Sequence, residues 1–152
     1  MQPIQQIPQN SRTTLDAYLD LFNNLEEGLA QGVLQRLTST NIKFIDPFNN
    51  VQGHTPVANV LLHFVAHVQN PRFTILHSAW TDNICFVRWH FHGQLHRGGE
   101  WSFPGMSELH FNQQGLIQLH QDHWDSGHYF YQRLPIIGLL IRWIKRKIQL
   151  HS

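Results

Sequence analysis

Cysteine is almost missing from this chain. Cys85 is the only one in 152 residues, so no disulfide can form within the chain, and the scarcity suits a reducing compartment. Charge is scarce too. Asp, Glu, Lys and Arg make up 14% and leave a formal net charge of +1 with histidine neutral, which speaks against a dedicated nucleic-acid binder. No run of 18 apolar residues occurs, so no segment is expected to span a membrane. The opening "MQPIQQIPQN" has neither a basic start nor an apolar stretch, so it does not read as a signal peptide. It is rich in Gln and Pro, and residues 1–12 are expected to be flexible. Neither an internal repeat nor an interdomain linker divides the sequence. These exclusions leave one globular, cytoplasmic domain, and 41% hydrophobic residues at this length suit a single core.

Histidine, by contrast, is abundant. Protonating all twelve would add twelve positive charges, so strong pH sensitivity near pH 6 is expected. His63 and His67 stand at i and i+4 in "HFVAH", and His90, His92 and His96 share a strand parity. No carboxylate or cysteine completes a ligand spacing, and His63 lacks the following glutamate of a zinc protease. No metal and no cofactor is expected.

Apolar periodicity orders the chain. Leu15, Tyr18, Leu19, Phe22, Leu25 and Leu29 make one stripe, predicting a helix over 13–29 with Thr13 and Asp16 as a capping box. A short helix carries Val33, Leu34 and Leu37. Residues 41–46 read as a strand closed by Pro47, and "NNVQG" reads as a turn. Thr55 and Pro56 predict the start of a helix whose face is Val57, Val60, Leu61, Phe64 and Val68, ended by Asn70-Pro71. The period then changes to two, with strands expected over 72–80, 84–96, 101–112 and 115–125, and a helix again over 134–150. Helices segregated from an antiparallel sheet mean the α+β class. Within the second of these strands Val87, Trp89, Phe91 and Leu95 oppose Arg88, His90, His92 and Gln94, and the apolar side should bury.

"FIDPFNNVQGHTPVANVLLHF" resembles the strand, turn and helix of the ketosteroid isomerase and nuclear transport factor 2 superfamily. "HGQLHRGGEWSFPGMSELHFNQQGLIQLHQDHWD" resembles the last strands of its SnoaL-like branch, through Gly105, Ser107, Phe111, Gly115, Ile117, Asp122, Trp124 and Asp125 in order. The resemblance covers residues 13–130. It implies a cone-shaped α+β barrel, a curved sheet wrapped around N-terminal helices, an apolar pocket for a small lipophilic molecule, and a homodimer. The domain would run over 13–132, followed by an amphipathic basic C-terminal helix over 133–152.

The resemblance also proposes a site. Asp46 falls on the "DP" aspartate that shuttles protons in ketosteroid isomerase, and Asp122 on the general acid/base aspartate of polyketide cyclases. Strand alternation puts His120, Asp122 and Trp124 on one face, with Trp124 matching a pocket-lining aromatic. The candidate catalytic set is therefore Asp122, Asp46 and His120. Trp124, Phe44, Phe22, Tyr18, Phe64 and Trp89 form a candidate ligand-binding wall. The oxyanion tyrosine position falls on Phe22, one helical turn from Tyr18, and the oxyanion aspartate falls near Pro104; neither supplies a donor, so steroid isomerase activity itself is not expected. Structural roles stay open beside these. Asp46 suits fixing the turn after it, Asp122 suits an ion pair with Arg88 or His120, and Asp125 suits a cap.

The tail "RLPIIGLLIRWIKRKIQLHS" is apolar on more than one side and crowded with Arg142, Lys145, Arg146 and Lys147. A helix there would pack on the barrel or across a dimer, meet an anionic membrane surface, or cover a pocket mouth. Proton-transfer chemistry on a carbonyl compound is the leading expectation for function. The alternative is a binding or dimeric scaffold module without turnover, membrane-peripheral through the C-terminal helix.

Overall fold

The computed structural model describes residues 7–149; residues 1–6 and 150–152, and the expectations that fall on them, lie outside this range. The elements are α1 (Gln9–Leu21), α2 (Leu25–Ala30), α3 (Val33–Leu37), β1 (Thr38–Ile45), β2 (Asn50–Gln52), α4 (His54–His67), β3 (Val68–Thr81), β4 (Ile84–Leu95), β5 (Gly99–Phe111), β6 (Ile117–His123), α5 (Ser126–Tyr129), a 3-10 turn (Tyr131–Arg133) and α6 (Pro135–Ile148). The class is α+β, as the periodicities predict. One six-stranded sheet has the order β2-β1-β6-β5-β4-β3. β1 runs parallel to β6, and all other neighbours are antiparallel. The sheet is curved and not closed, so the expected barrel is an open cone edged by β2 and β3.

Alternation builds the core. Along β5, Trp101, Phe103, Gly105, Ser107, Leu109 and Phe111 are buried while the residues between them are half-buried, as the two-residue repeat of a strand requires. The register with β4 brings Cys85, Val87, Trp89 and Phe91 to the same face. A register shift between His110 and Phe111 carries the pairing into β6 and leaves Ile117 and His120 facing inward. Leu15, Tyr18 and Leu21 of α1 and Val57 and Leu61 of α4 complete this core from the helix side.

Several local expectations are corrected. The helix foreseen over 13–29 is two helices, divided at Asn23-Asn24, where amides compete for backbone partners. Thr13 and Asp16 form no capping box: α1 starts at Gln9 behind Pro8, and the Thr13 hydroxyl donates to the Gln9 carbonyl inside the helix. The earlier start is anchored by Asn10, whose amide donates to Gln114 O at 3.0 Å. Gly115 makes that approach possible. Its φ is 78°, and a Cβ there would stand 2.6 Å from Asn10 Nδ2. Thr55 is likewise not a cap. Gly53, at φ 95°, precedes α4, and Pro56 falls in the first turn, where its missing N–H has no helical acceptor anyway. The "NNVQG" turn contains a short strand, β2, paired with β1. α4 stops at His67, before Asn70-Pro71, because β3 already pairs with β4 from Val68.

Candidate functional site

β6 carries two polar residues into the aromatic interior. His120 is buried and rings surround it, with the Phe44 centroid at 4.7 Å, Phe22 at 5.6 Å and Tyr18 at 5.7 Å. Its Nε2 lies 2.7 Å from Asp122 Oδ1, two residues on and on the same face. Its Nδ1 lies 2.9 Å from the Tyr18 hydroxyl, delivered by α1. Ser107, across the strand pair in register with Asp122, donates its hydroxyl to the same Oδ1 at 2.5 Å. Trp89 Nε1–H in turn donates to Ser107 Oγ at 2.8 Å. Gly105 clears the space for that indole: a Cβ there would stand 2.2 Å from the Trp89 ring.

The proton directions follow from chemistry. Burial first, and the Asp122 charge second, push the Tyr18 phenol far above its ordinary range, so Tyr18 keeps its proton and donates to Nδ1. A carboxylate only accepts, so the Nε2 that faces Asp122 Oδ1 carries a proton and donates it. Five side chains on four elements thus form one chain of donors converging on Asp122 Oδ1. Among the described residues no donor reaches Asp122 Oδ2.

Asp122 faces two adjoining voids. One, of about 40 Å³, is lined by Tyr18, Leu19, Phe22, Phe73, Trp89, Ser107, His120 and Asp122 among others. The second, of about 90 Å³, is walled by Phe22, Phe44, Asp46, Phe48, Phe64, Phe73, Trp89, Trp101, Phe103, Asp122 and Trp124 with Val60 and Leu61. All nine candidate site residues therefore stand on these walls. The voids are far smaller than the 300–1,000 Å³ typical of ligand sites and by themselves do not amount to the expected pocket. Phe48, 45% exposed, packs on Trp124, Phe130 and Tyr131 at the rim.

The two aspartates are not equivalent. Asp46 Oδ1 accepts from Phe48 N at 2.7 Å, Asn49 N at 2.6 Å and Asn49 Nδ2 at 3.0 Å, and Oδ2 takes Nδ2 at 3.1 Å. It fixes the turn that links β1 to β2, while its side chain borders the larger void. Asp125 caps α5 by accepting from His128 N. Arg88 donates to Gly105 O and is not the partner of Asp122. Ser107 is the site residue that sequence reasoning passed over, although it stands in phase with Trp101, Phe103, Leu109 and Phe111. An inward polar residue in such a row needs a partner.

Other chemistries find less support. Burial pushes the Cys85 thiol up to about 11 against the opposing pull of Arg12, which makes it a poor nucleophile. Among the described residues no group of three or more His, Cys, Asp or Glu side chains is placed to hold a metal ion. His63 and His67 stack 4.2 Å apart between ring centroids, with His67 Nδ1 on the His63 carbonyl.

Comparison with known proteins adds the family context. The model of the SnoaL-like domain matches residues 11–120. No curated protein matches the chain. Among solved structures, an NTF2-like protein of unknown function from Exiguobacterium is 21% identical, with 74% of this chain and 98% of that one covered at a TM-score of 0.65. A protein with a ketosteroid isomerase-like fold from Catenulispora acidiphila, in complex with trimethylamine, is 15% identical, covering 80% and 93% at 0.68. An LEH-like epoxide hydrolase of M. tuberculosis is 14% identical, covering 91% and 96% at 0.64. Identities this low establish a shared fold and nothing about activity.

Proposed function

This chain belongs to the SnoaL-like domain family, and on that premise we propose that it performs acid/base proton transfer on a small lipophilic carbonyl compound. The observation that carries the proposal is the free oxygen of Asp122. Oδ1 is held by Ser107 and His120, no donor among the described residues reaches Oδ2, and Asp122 lines both voids. A carboxylate oriented through one oxygen and open at the other is placed to take a proton from carbon beside a carbonyl. His120 and Ser107 position it, and Tyr18 fixes the imidazole tautomer. The developing enolate oxygen needs a donor. Trp89 and Trp101 have committed their N–H groups, to Ser107 and Tyr129 O, so the Trp124 indole N–H on the same wall takes that role. Asp46, spent on its turn, shapes the wall and contributes charge rather than accepting the proton.

The larger void has room for about three water molecules at roughly 30 Å³ each. A bigger substrate enters by displacing the exposed ring of Phe48. Solved neighbours bear names as diverse as isomerase, polyketide cyclase, hydroxylase and epoxide hydrolase, so the names single out no one reaction for this chain. A homodimer through the outer sheet face belongs to the same reading, because helices already cover the inner face. So does a cytoplasmic setting, supported by the single free, buried thiol.

The test is deuterium exchange. Small ketones and β-keto esters are incubated with the protein in D₂O and followed by NMR. Catalysed exchange at the α-carbon that falls about 10²–10⁴-fold in Asp122→Asn supports the proposal, and exchange that survives the substitution removes Asp122 as the base. A second reading, a ligand-holding module without turnover, draws on the locked Oδ1 of both aspartates. It predicts saturable binding with no exchange.

A further inference from the structure

We propose that α6 is an interfacial helix that docks on the surface of an anionic lipid bilayer. The helix is attached to the rest of the molecule by one narrow side. Gly138 is its one buried residue, and a Cβ there would lie 2.2 Å from Gln132 O, so glycine is what lets the helix close on the 3-10 turn. Arg142 donates to the same carbonyl at 2.8 Å, and Lys145 Nζ reaches His128 Nδ1 at 3.5 Å.

Most of its apolar side chains point the other way. Ile136, Leu139, Leu140, Trp143, Ile144 and Ile148 are exposed. At 100° per residue they share one broad face. Among the described residues nothing covers this face, and an exposed apolar patch of this kind marks an interaction surface.

Charge decides the occupant. Arg142, Lys145, Arg146 and Lys147 crowd this helix, and no Asp or Glu follows Asp125 anywhere in the sequence. Lys147 Nζ sits 5.8 Å from the exposed Trp143 ring, a cation beside an apolar side chain of the kind that snorkels at a membrane interface. Arg142 and Lys145 turn toward the body of the protein, but Arg146 and Lys147 are exposed beside the apolar face; a second copy of α6 would set these charges against their like, whereas an anionic surface attracts them. At 14 residues the helix is about 21 Å long at 1.5 Å per residue, too short to cross a bilayer. No helix among the described residues is long and apolar enough to do so. α6 therefore lies flat, its apolar face among the acyl chains and Arg146 and Lys147 at the headgroups. This inference does not depend on the proposed chemistry.

The experiment is co-sedimentation of the full chain with vesicles of phosphatidylcholine alone and of phosphatidylcholine and phosphatidylglycerol in equal parts. Binding at least tenfold stronger to the anionic vesicles is expected, weakening as salt is raised. Arg146→Glu with Lys147→Glu should reduce it by at least tenfold, since each cation near such a surface contributes roughly fivefold. Leu140→Glu with Ile144→Glu should abolish it while circular dichroism stays unchanged, because both side chains are already exposed. Equal binding to both vesicle types, no binding to either, or full binding by the Leu140/Ile144 variant each overturns the proposal. So does loss of self-association in that variant without vesicle binding by the parent, which would assign the face to a second copy of the chain.

Discussion

Two neighbouring strands carry the same short pattern on opposite faces of the sheet. In β5, Glu108 and His110 flank Leu109; in β6, His120 and Asp122 flank Gln121, and Leu109 is the register partner of His120. Both pairs are in hydrogen-bond contact, at 2.5 Å outside and 2.7 Å inside. Their surroundings differ. The outer side chains are 24% and 27% exposed, the inner ones 4% and 18%. The outer glutamate also has His123 at 3.7 Å, while the inner pair is extended at both ends by Tyr18, Ser107 and Trp89. A histidine beside a carboxylate is common. Burial together with a fixed second partner for each group is what turns one into a candidate for chemistry and leaves the other a solvated contact. Strand parity alone makes the assignment, and a one-residue slip of register would exchange them.

The largest effect that tests this contrast is on stability. His120→Leu leaves the Tyr18 hydroxyl buried without an acceptor and strips one donor from Asp122, so a loss of about 3 kcal/mol is expected. His110→Leu, with water free to reach Glu108, should cost less than about 0.5 kcal/mol. Urea denaturation of the two variants beside the parent measures both. Equal losses would mean that the inner chain of hydrogen bonds contributes no more than the surface pair.

Much of the inner site was legible in the sequence, because a strand's alternation is the simplest of periodicities. Once 115–125 read as a strand, His120, Asp122 and Trp124 fell on one face, and the resemblance said which face. What was not legible required contacts between distant segments. Ser107 marked the resemblance but had no assigned role until the β5–β6 register placed it opposite Asp122. Tyr18 was expected on the ligand-binding wall, and only the fold shows its hydroxyl meeting an imidazole 102 residues away. Asp46 illustrates the converse. Its local reading, a turn-fixing aspartate before proline, needed only the next three residues, and that is where its hydrogen bonds go. The misplaced helix starts have the same cause, since Asn10 and Gly53 are set by a loop and a strand remote in sequence.

A smaller effect comes from pH. An unfolded tyrosine loses its proton near pH 10, whereas burial and the nearby Asp122 charge hold the proton on Tyr18 well above that. The folded state therefore binds this proton more tightly. Its contribution is fully present below about pH 10 and is lost as pH rises toward the folded value, by about 1.4 kcal/mol per pH unit. The difference in stability between the parent and Tyr18→Phe should be constant from pH 7 to 9 and shrink by roughly that amount at pH 11. A constant difference would mean that water reaches the phenol, and the inner chain would then be less sealed than its geometry indicates.

The smallest expected effect is the most informative about the outer face. Glu108→Gln removes the charge facing His110 and His123 but keeps the side chain's length and its acceptor oxygen. For a pair this exposed the loss should be within about 0.5 kcal/mol, and it should not vary with protein concentration. A loss above about 1.5 kcal/mol that grows on dilution would mean that water does not reach Glu108 in solution. The surface excluding it would have to be a second copy of the chain laid on the outer sheet face, and the two histidine–carboxylate pairs would then differ in what buries them rather than in whether they are buried.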